Sequence, residues 1–118
     1  MMIPAMQSAL SGLSAYSAKI SSNANNIANA GTEGFKKSRI LLSSVEPQGV
    51  QVQTEWVETP GPMSYEQGSN GMELVEQSNV DIAEELPAMS LNAHLYKANI
   101  KTIQVADEIL GTLLKTRG

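Results

Sequence analysis

Apolar residues at the start of the chain recur in alternating steps of three and four: Ile3, Met6, Leu10, Leu13, Ile20, Ala24 and Ile27, with Ser17 in the missing place. That period is a heptad-type seam and predicts one helix over residues 5–30. The alternation returns over residues 79–116, where Ile82, Leu86, Met89, Ala93, Tyr96, Ile100, Ile103, Leu110 and Leu114 keep step and Asp107 breaks it. A second stripe of Leu95, Val105, Ile109 and Leu113 widens this apolar surface beyond a two-stranded seam. Ser78 or Asn79 can cap the helix start, and Asp81, Glu84 and Glu85 suit its positive end, as Lys115 and Arg117 suit the other. Pro87 implies either a kink or a regular helix that begins close to it.

The middle reads differently. Gly31, Gly34, Gly49, Pro60, Gly61, Pro62, Gly68 and Gly71 punctuate short extended runs. "FKKSRILLSS" (35–44) and "GVQVQTEWVE" (49–58) predict two strands, the second with Val50, Val52, Thr54 and Trp56 on one face, and "GMELVE" (71–76) suggests a third. "TPGPMSYEQGSNG" (59–71) reads as a loop. The fold class expected is therefore mainly α with a small β region. Terminal helices (1–30 and 79–118) pair as an antiparallel coiled coil around a β-rich segment (31–78), all one structural unit. Two such helices, roughly 40 and 50 Å long at ~1.5 Å per residue, make a rod and not a ball.

Charge changes this picture at one place. Lys19 is the only charged side chain between residues 1 and 30, and the off-seam positions there are mainly Ser, Ala, Gly and Asn. A helix facing water normally carries charge on its outer side. Small uncharged residues all round allow other helices to approach closely, so burial by neighbouring copies is expected. Four asparagines (Asn23, Asn25, Asn26 and Asn29) crowd the end of this helix although Asn is a mediocre helix former. Buried amides that fix register between helices are one reading, as in coiled coils; a solvated helix end, stopped at Asn29 and Gly31, is the other.

The stretch "ANNIANAGTEGFKKSR" (24–39) resembles the N-terminal signature of the bacterial flagellar basal-body rod and hook proteins, close to A-N-N-[LI]-A-N-x-x-T-x-G-[FY]-K. Residues 78–118 resemble the C-terminal signature of the same family in the opening "SNVD", in Tyr96-x-x-Asn99 and in the closing "ADEILGTLL". The matching motif positions are Asn25, Asn26, Asn29, Gly34, Phe35, Asn79, Asp81 and Asn99. Glu33 stands where the family usually has Pro, and Pro87 where it generally has a helix former. About fifty intervening residues leave no room for the large inserted domain of hook and distal-rod members, so the chain is most similar to a short proximal-rod protein (FlgC-like). The resemblance implies a structural subunit exported unfolded through the flagellar type III apparatus without a cleaved signal. It also implies terminal helices packed in the rod interior, with other rod subunits and further copies as partners, in a drive shaft that crosses the periplasm. The assembly interface is then expected at Met6, Leu10, Leu13, Ile20, Ile27, Leu86, Met89, Tyr96, Ile100, Ile103, Leu110 and Leu114.

Composition agrees with that role. The 118 residues carry eight Lys and Arg against twelve Asp and Glu, a formal charge of −4 that offers no basic footprint for nucleic acid. Cysteine is absent, which excludes disulfides and Cys-ligated metals. No Lys or Arg precedes Lys19, and Ser, Gly and Gln interrupt the apolar run, which argues against a cleaved secretory signal. "GTEGFKKS" (31–38) lacks the spacing and the strand-to-helix order of a phosphate loop. His94 is a lone histidine, Glu84 and Glu85 point to different sides of a helix, and no nucleophile elbow occurs, so neither enzyme, cofactor nor small-molecule substrate is expected. Trp56 reads as a sheet-face anchor, or more sharply as a subunit contact. The competing class is a small coiled-coil adaptor or secretion chaperone forming a discrete oligomer, which calls for charged outer faces that the first helix lacks.

Overall fold

The computed structural model describes residues 2–117, with side chains from Pro4 to Thr116, so Ile3 and Arg117 of the expected seam and helix end lie outside the described side chains. Helix α1 (Met2–Ala28) is followed by strands β1 (Ser38–Ser44), β2 (Val50–Trp56), β3 (Met63–Gly68) and β4 (Gly71–Glu76), and helix α2 (Ile82–Arg117) closes the chain. The fold is thus mainly helical with a small β part, as the pattern implies. The strands form two separate antiparallel hairpins, β1–β2 and β3–β4.

Three contacts fix the helix pairing as antiparallel. Asn26 of α1 reaches Glu85 of α2, Asn23 reaches Asn92, and Gly12 lies against Asn99, whose Oδ1 would sit 2.7 Å from any Cβ at that glycine. The β1–β2 hairpin lies along the flank of α1. Ser11 Oγ both accepts from the Val50 N–H (2.7 Å) and donates to the Val50 carbonyl (2.8 Å), and Ser22 Oγ donates to the Ser38 carbonyl (3.0 Å). Ser38, Ile40 and Leu42 of β1 alternate inward, paired with Trp56, Thr54 and Val52.

The β3–β4 hairpin stands apart and packs on neither helix nor the other hairpin. The molecule measures 81 × 25 × 18 Å. An α2 of 36 residues accounts for about 54 Å of that length at ~1.5 Å per residue. The remainder is a hairpin and its linkers, so β3–β4 projects past the end where α1 stops and α2 begins.

Two expectations are corrected. Residues 59–71 are not all loop: 63–68 form β3, and Ser69-Asn70 make a two-residue turn with Gly68 opposite Gly71. Gly71, at φ +102°, takes a backbone conformation open to glycine. The cap of α2 is Asp81, whose Oδ1 accepts from the Ala83 N–H (3.0 Å), and not Asn79 or Ser78. The helix runs through Pro87 near its start, and the Ala83 carbonyl goes without the N–H that a residue other than proline would supply there.

The base of the projecting hairpin is held by Gly61, which is buried; a Cβ there would overlap the Gln77 carbonyl and come within 2.9 Å of the Ser78 carbonyl carbon. Gly61→Ala must push these backbones apart. It is expected to lower amide-exchange protection roughly tenfold or more at Gln77 and Gly34, whose N–H groups bond Pro62 and Glu76, in line with the ~1–3 kcal/mol of an overpacked site. Unchanged protection would show that the base of the hairpin is not packed as described.

Candidate assembly interface

The contact between the two helices is built from small and polar residues. Among the described residues the buried apolar ones are Ala9, Ala15 and Ala106, and the buried polar ones are Asn26, Ser38, Ser78, Glu85 and Asn92. The largest side chain with almost no exposure, at 1 %, is Asn26. Its position explains why. Asn26 Oδ1 accepts from the Ser38 N–H (3.0 Å), and its Nδ2 donates to the Ser38 carbonyl (2.8 Å) and to Glu85 Oε1 (3.2 Å). One amide thereby joins α1, the first residue of β1 and α2.

The network continues along the helices. Asn23 Nδ2 donates to Glu85 Oε2 (2.7 Å), and its Oδ1 accepts from Asn92 Nδ2 (2.9 Å). Glu85 therefore receives an amide donor on each carboxylate oxygen, which repays its burial with two charge-assisted bonds. No buried side-chain nitrogen or oxygen among the described residues lacks a partner. A recess of about 180 Å³, lined by Lys19, Arg39 and Ala88 among others, opens beside these bonds.

The other motif residues have distinct tasks. Asn25 is exposed, and Asn29 Nδ2 donates back to the Asn25 carbonyl (2.9 Å) as the helix unwinds, while Thr32 Oγ1 bonds Asn29 Oδ1 (3.0 Å). Gly34 turns the chain at φ +67°, which favours glycine there. The Phe35 carbonyl accepts from the Asn79 N–H (3.2 Å). Asn79 Oδ1 accepts from the Lys37 N–H (2.7 Å), and its Nδ2 donates to the Val57 and Thr59 carbonyls (2.8 and 2.9 Å). It therefore ties three connecting segments together at the end of the helix pair. Asn99 donates to the Leu95 carbonyl (2.9 Å) and faces Gly12.

Carboxylates surround the hairpin base. Glu76 takes the Lys36 ammonium and the Gly61 N–H (3.1 Å) on the same oxygen, and these bonds hold its carboxyl below the usual glutamate range. The Glu33 carboxyl lies against Glu66, whose hydrogen bond and negative charge raise its pKa. The departure at Glu33 thus places a second acid beside the hairpin.

The expected interface residues fall beside the helix contact, not in it. Glu85, Asn92, Asn99 and Ala106, spaced by seven, form the contact line of α2. Both stripes read from the sequence flank that line at the helical period. Met6, Leu13, Ile20, Ile27, Met89, Tyr96, Ile100, Ile103 and Leu110 are half-buried, and Leu10, Leu86 and Leu114 are exposed. Leu91, Val105, Ile109 and Leu113 on the opposite flank are exposed too. Trp56 occupies the helix-facing side of its strand yet stays about half exposed. The sequence places Glu85 in the first turn of α2, where it stands, but not in this network with Asn92, although their spacing of seven with Asn99 carried the signal.

Two family matches agree with this architecture. Residues 6–36 match the flagella basal body rod protein family, and residues 73–116 match the C-terminal family of flagellar basal body rod FlgEFG proteins. The chain belongs to the flagellar basal body rod proteins. No curated protein matches it. The matched regions are the two helices, their junction and most of β4, and they contain Asn26, Asn79, Glu85 and Asn99. As a rod protein it is a structural subunit of the basal body that assembles with other rod components, and no helix among its described residues is long and apolar enough to cross a membrane.

Asn26→Ala leaves the Ser38 N–H and one Glu85 oxygen without the amide that bonds them, and the Ser38 carbonyl with the Ser22 hydroxyl in place of two donors. It is expected to lower unfolding stability by ~2–4 kcal/mol in urea, whereas Asn25→Ala stays within about 0.5 kcal/mol. Equal effects would remove Asn26 from its central place. Acid acts at the hairpin base with two signs. The depressed Glu76 stabilises the fold above the ordinary glutamate range, and this is lost as pH falls through its lowered pKa. The raised Glu33 is protonated earlier in the descent, which relieves its repulsion with Glu66. Wild type is therefore expected to exceed Lys36→Met in thermal midpoint at neutral pH, with the difference disappearing once Glu76 is protonated. A constant difference across that range would exclude the ion pair as its source.

Proposed function

We propose that this rod subunit belongs to the proximal rod, in the manner of FlgC-like members, and that it assembles with its neighbours and with further copies through its terminal helices into the periplasm-spanning drive shaft. It reaches that place unfolded through the flagellar type III export apparatus, without a cleaved signal. In this reading it needs neither cofactor, nucleic acid nor small-molecule substrate and carries no enzymatic activity. The observation behind the proposal is the division of labour on the helices. Alanines, amides and a carboxylate make the intramolecular contact, and the leucines of both flanks are left for other chains. The interval between the two matched regions supports the proximal position, since residues 37–72 supply little beyond three of the four strands and leave no inserted domain.

Exposed leucines serve as the probe. Leu86→Glu together with Leu114→Glu is expected to lower the monomer's unfolding stability by no more than about 1 kcal/mol, because Leu114 is 71 % exposed and Leu86 49 %. The pair should abolish the concentration-dependent rise in mass and helicity that sedimentation and circular dichroism detect in the unmodified protein. A fully helical small oligomer, independent of concentration, would replace this reading with a discrete coiled-coil adaptor or secretion chaperone.

A further inference from the structure

The chain has eight asparagines, and the structure separates one of them from the rest. Seven take part in side-chain hydrogen bonds, along the helices or at their junction. Asn70 takes part in none among the described residues. It is exposed, in the turn that joins β3 to β4, on the hairpin that packs on no other element.

Its neighbour sets it apart as well. Asn70 is the only asparagine followed by glycine; the others precede Ala, Asn, Ile or Val. Glycine has no Cβ to shield its backbone nitrogen and leaves the chain around it free to rotate. The space beside Gly71 is open too: no atom beyond the adjacent residues stands within 4 Å of where its Cβ would lie. In α1 and α2, by contrast, the helical ladder holds the nitrogen after each asparagine in place.

We propose that Asn70 is a site of spontaneous covalent modification, a deamidation that passes through a cyclic imide with Gly71. The Gly71 backbone nitrogen, having lost its proton to solvent base, attacks the side-chain carbonyl carbon of Asn70, Cγ. The N–Cγ bond forms, the Cγ–Nδ2 bond breaks, and Nδ2 leaves as ammonia with a proton from water. Solvent water then opens the ring at either carbonyl. Opening at Cγ gives aspartate with the main chain restored. Opening at the backbone carbonyl gives isoaspartate, in which the chain runs through Cβ. The net exchange is amide and water for carboxylic acid and ammonia, with no change of oxidation state.

Both products act on the hairpin. Isoaspartate adds a carbon to the main chain inside a turn that two residues span, between Gly68 and Gly71. Aspartate adds charge to a hairpin where Glu66 and Glu73 already stand opposite each other on paired strands, and like charges so placed are destabilising. No other element braces the hairpin, so the loss stays local. Strands β3 and β4 loosen while the helix pair keeps its amide network. A subunit thus records its age at the hairpin tip.

Protease cleavage after glutamate releases residues 67–73, with Asn70 as the sole asparagine, and residues 1–33, with Asn25 and Asn29 among others. The folded, full-length chain is aged in warm, mildly alkaline buffer, and the peptides are read by mass and elution. Peptide 67–73 is expected to convert to aspartyl and isoaspartyl forms severalfold faster than 1–33 deamidates, and faster still as pH rises. Asn70→Gln, whose longer side chain closes a ring far more slowly, should lose both this conversion and the acidic species it adds to the intact protein. Equal rates in the two peptides, or conversion of 67–73 only in urea, overturn the site. The aged acidic fraction is expected to lose amide-exchange protection across β4 and to retain it in α1 and α2. Unchanged protection in β4 overturns the loosening of the hairpin.

Discussion

Everything in this molecule is arranged around one buried amide. Asn26 is the meeting point of three chain segments, and only a side chain with both a donor and an acceptor can occupy it, because the Ser38 backbone presents an N–H and a carbonyl side by side. A leucine would fill similar space and leave the Ser38 N–H without this acceptor, at a cost of ~1–3 kcal/mol, and its carbonyl with the Ser22 hydroxyl alone. The amide instead extends the edge of β1 onto the helix and fixes where the hairpin begins relative to α1. Its third bond, to Glu85, transmits that register to α2. A polar residue at such a contact favours one alignment over its neighbours at some expense in stability, as in coiled coils.

The thinness of the protein follows from the same choice. At 25 × 18 Å in cross-section it has room for two layers and for no enclosed interior. With alanines at its buried apolar positions, the helix pair gains little from the hydrophobic effect, and directional bonds carry the specificity. Meanwhile at least fifteen large apolar side chains remain exposed among the described residues. Covering a half-exposed one is worth about 1 kcal/mol. Hydrophobic free energy on this scale is therefore still available to contacts outside the subunit. The internal contact sets shape, and the external surface keeps a driving force of its own.

The sequence showed the helices, their boundaries to within a few residues, and three of the four strands, because each rests on a period that a single chain displays. Strand β3 was hidden by the Gly and Pro residues around it, although Met63 and Tyr65 already alternate with Ser64 and Glu66. The motif asparagines were visible as a cluster, but not their division of work. Asn26 and Asn25 are neighbours in sequence and differ wholly in burial, and only the path of β1 decides which is enclosed. Asn79 looked like a cap for the same reason, since its partners at Lys37, Val57 and Thr59 are remote in the chain. Glu85 does stand in the first turn of α2, and that adequate local explanation hid its second task in the network. Its spacing of seven from Asn92 was a better guide than its distance from the cap.

The line from Glu85 to Ala106 bears on what the apolar stripes mean. A heptad stripe in a single chain normally marks the line along which its own helices meet, and here the line of contact runs between two such stripes. The cause is steric as much as chemical. Gly12 and the buried alanines let the backbones approach closely, and the leucines on either side are then turned outward, as a close helix pair demands. Enlarging a contact-line residue would separate the helices, draw the flanking leucines inward and strengthen the monomer at the expense of its outer surface. Small residues at the centre and large ones at the margins thus form one constraint. The subunit keeps its apolar surface available because its own helices are too close together to use it.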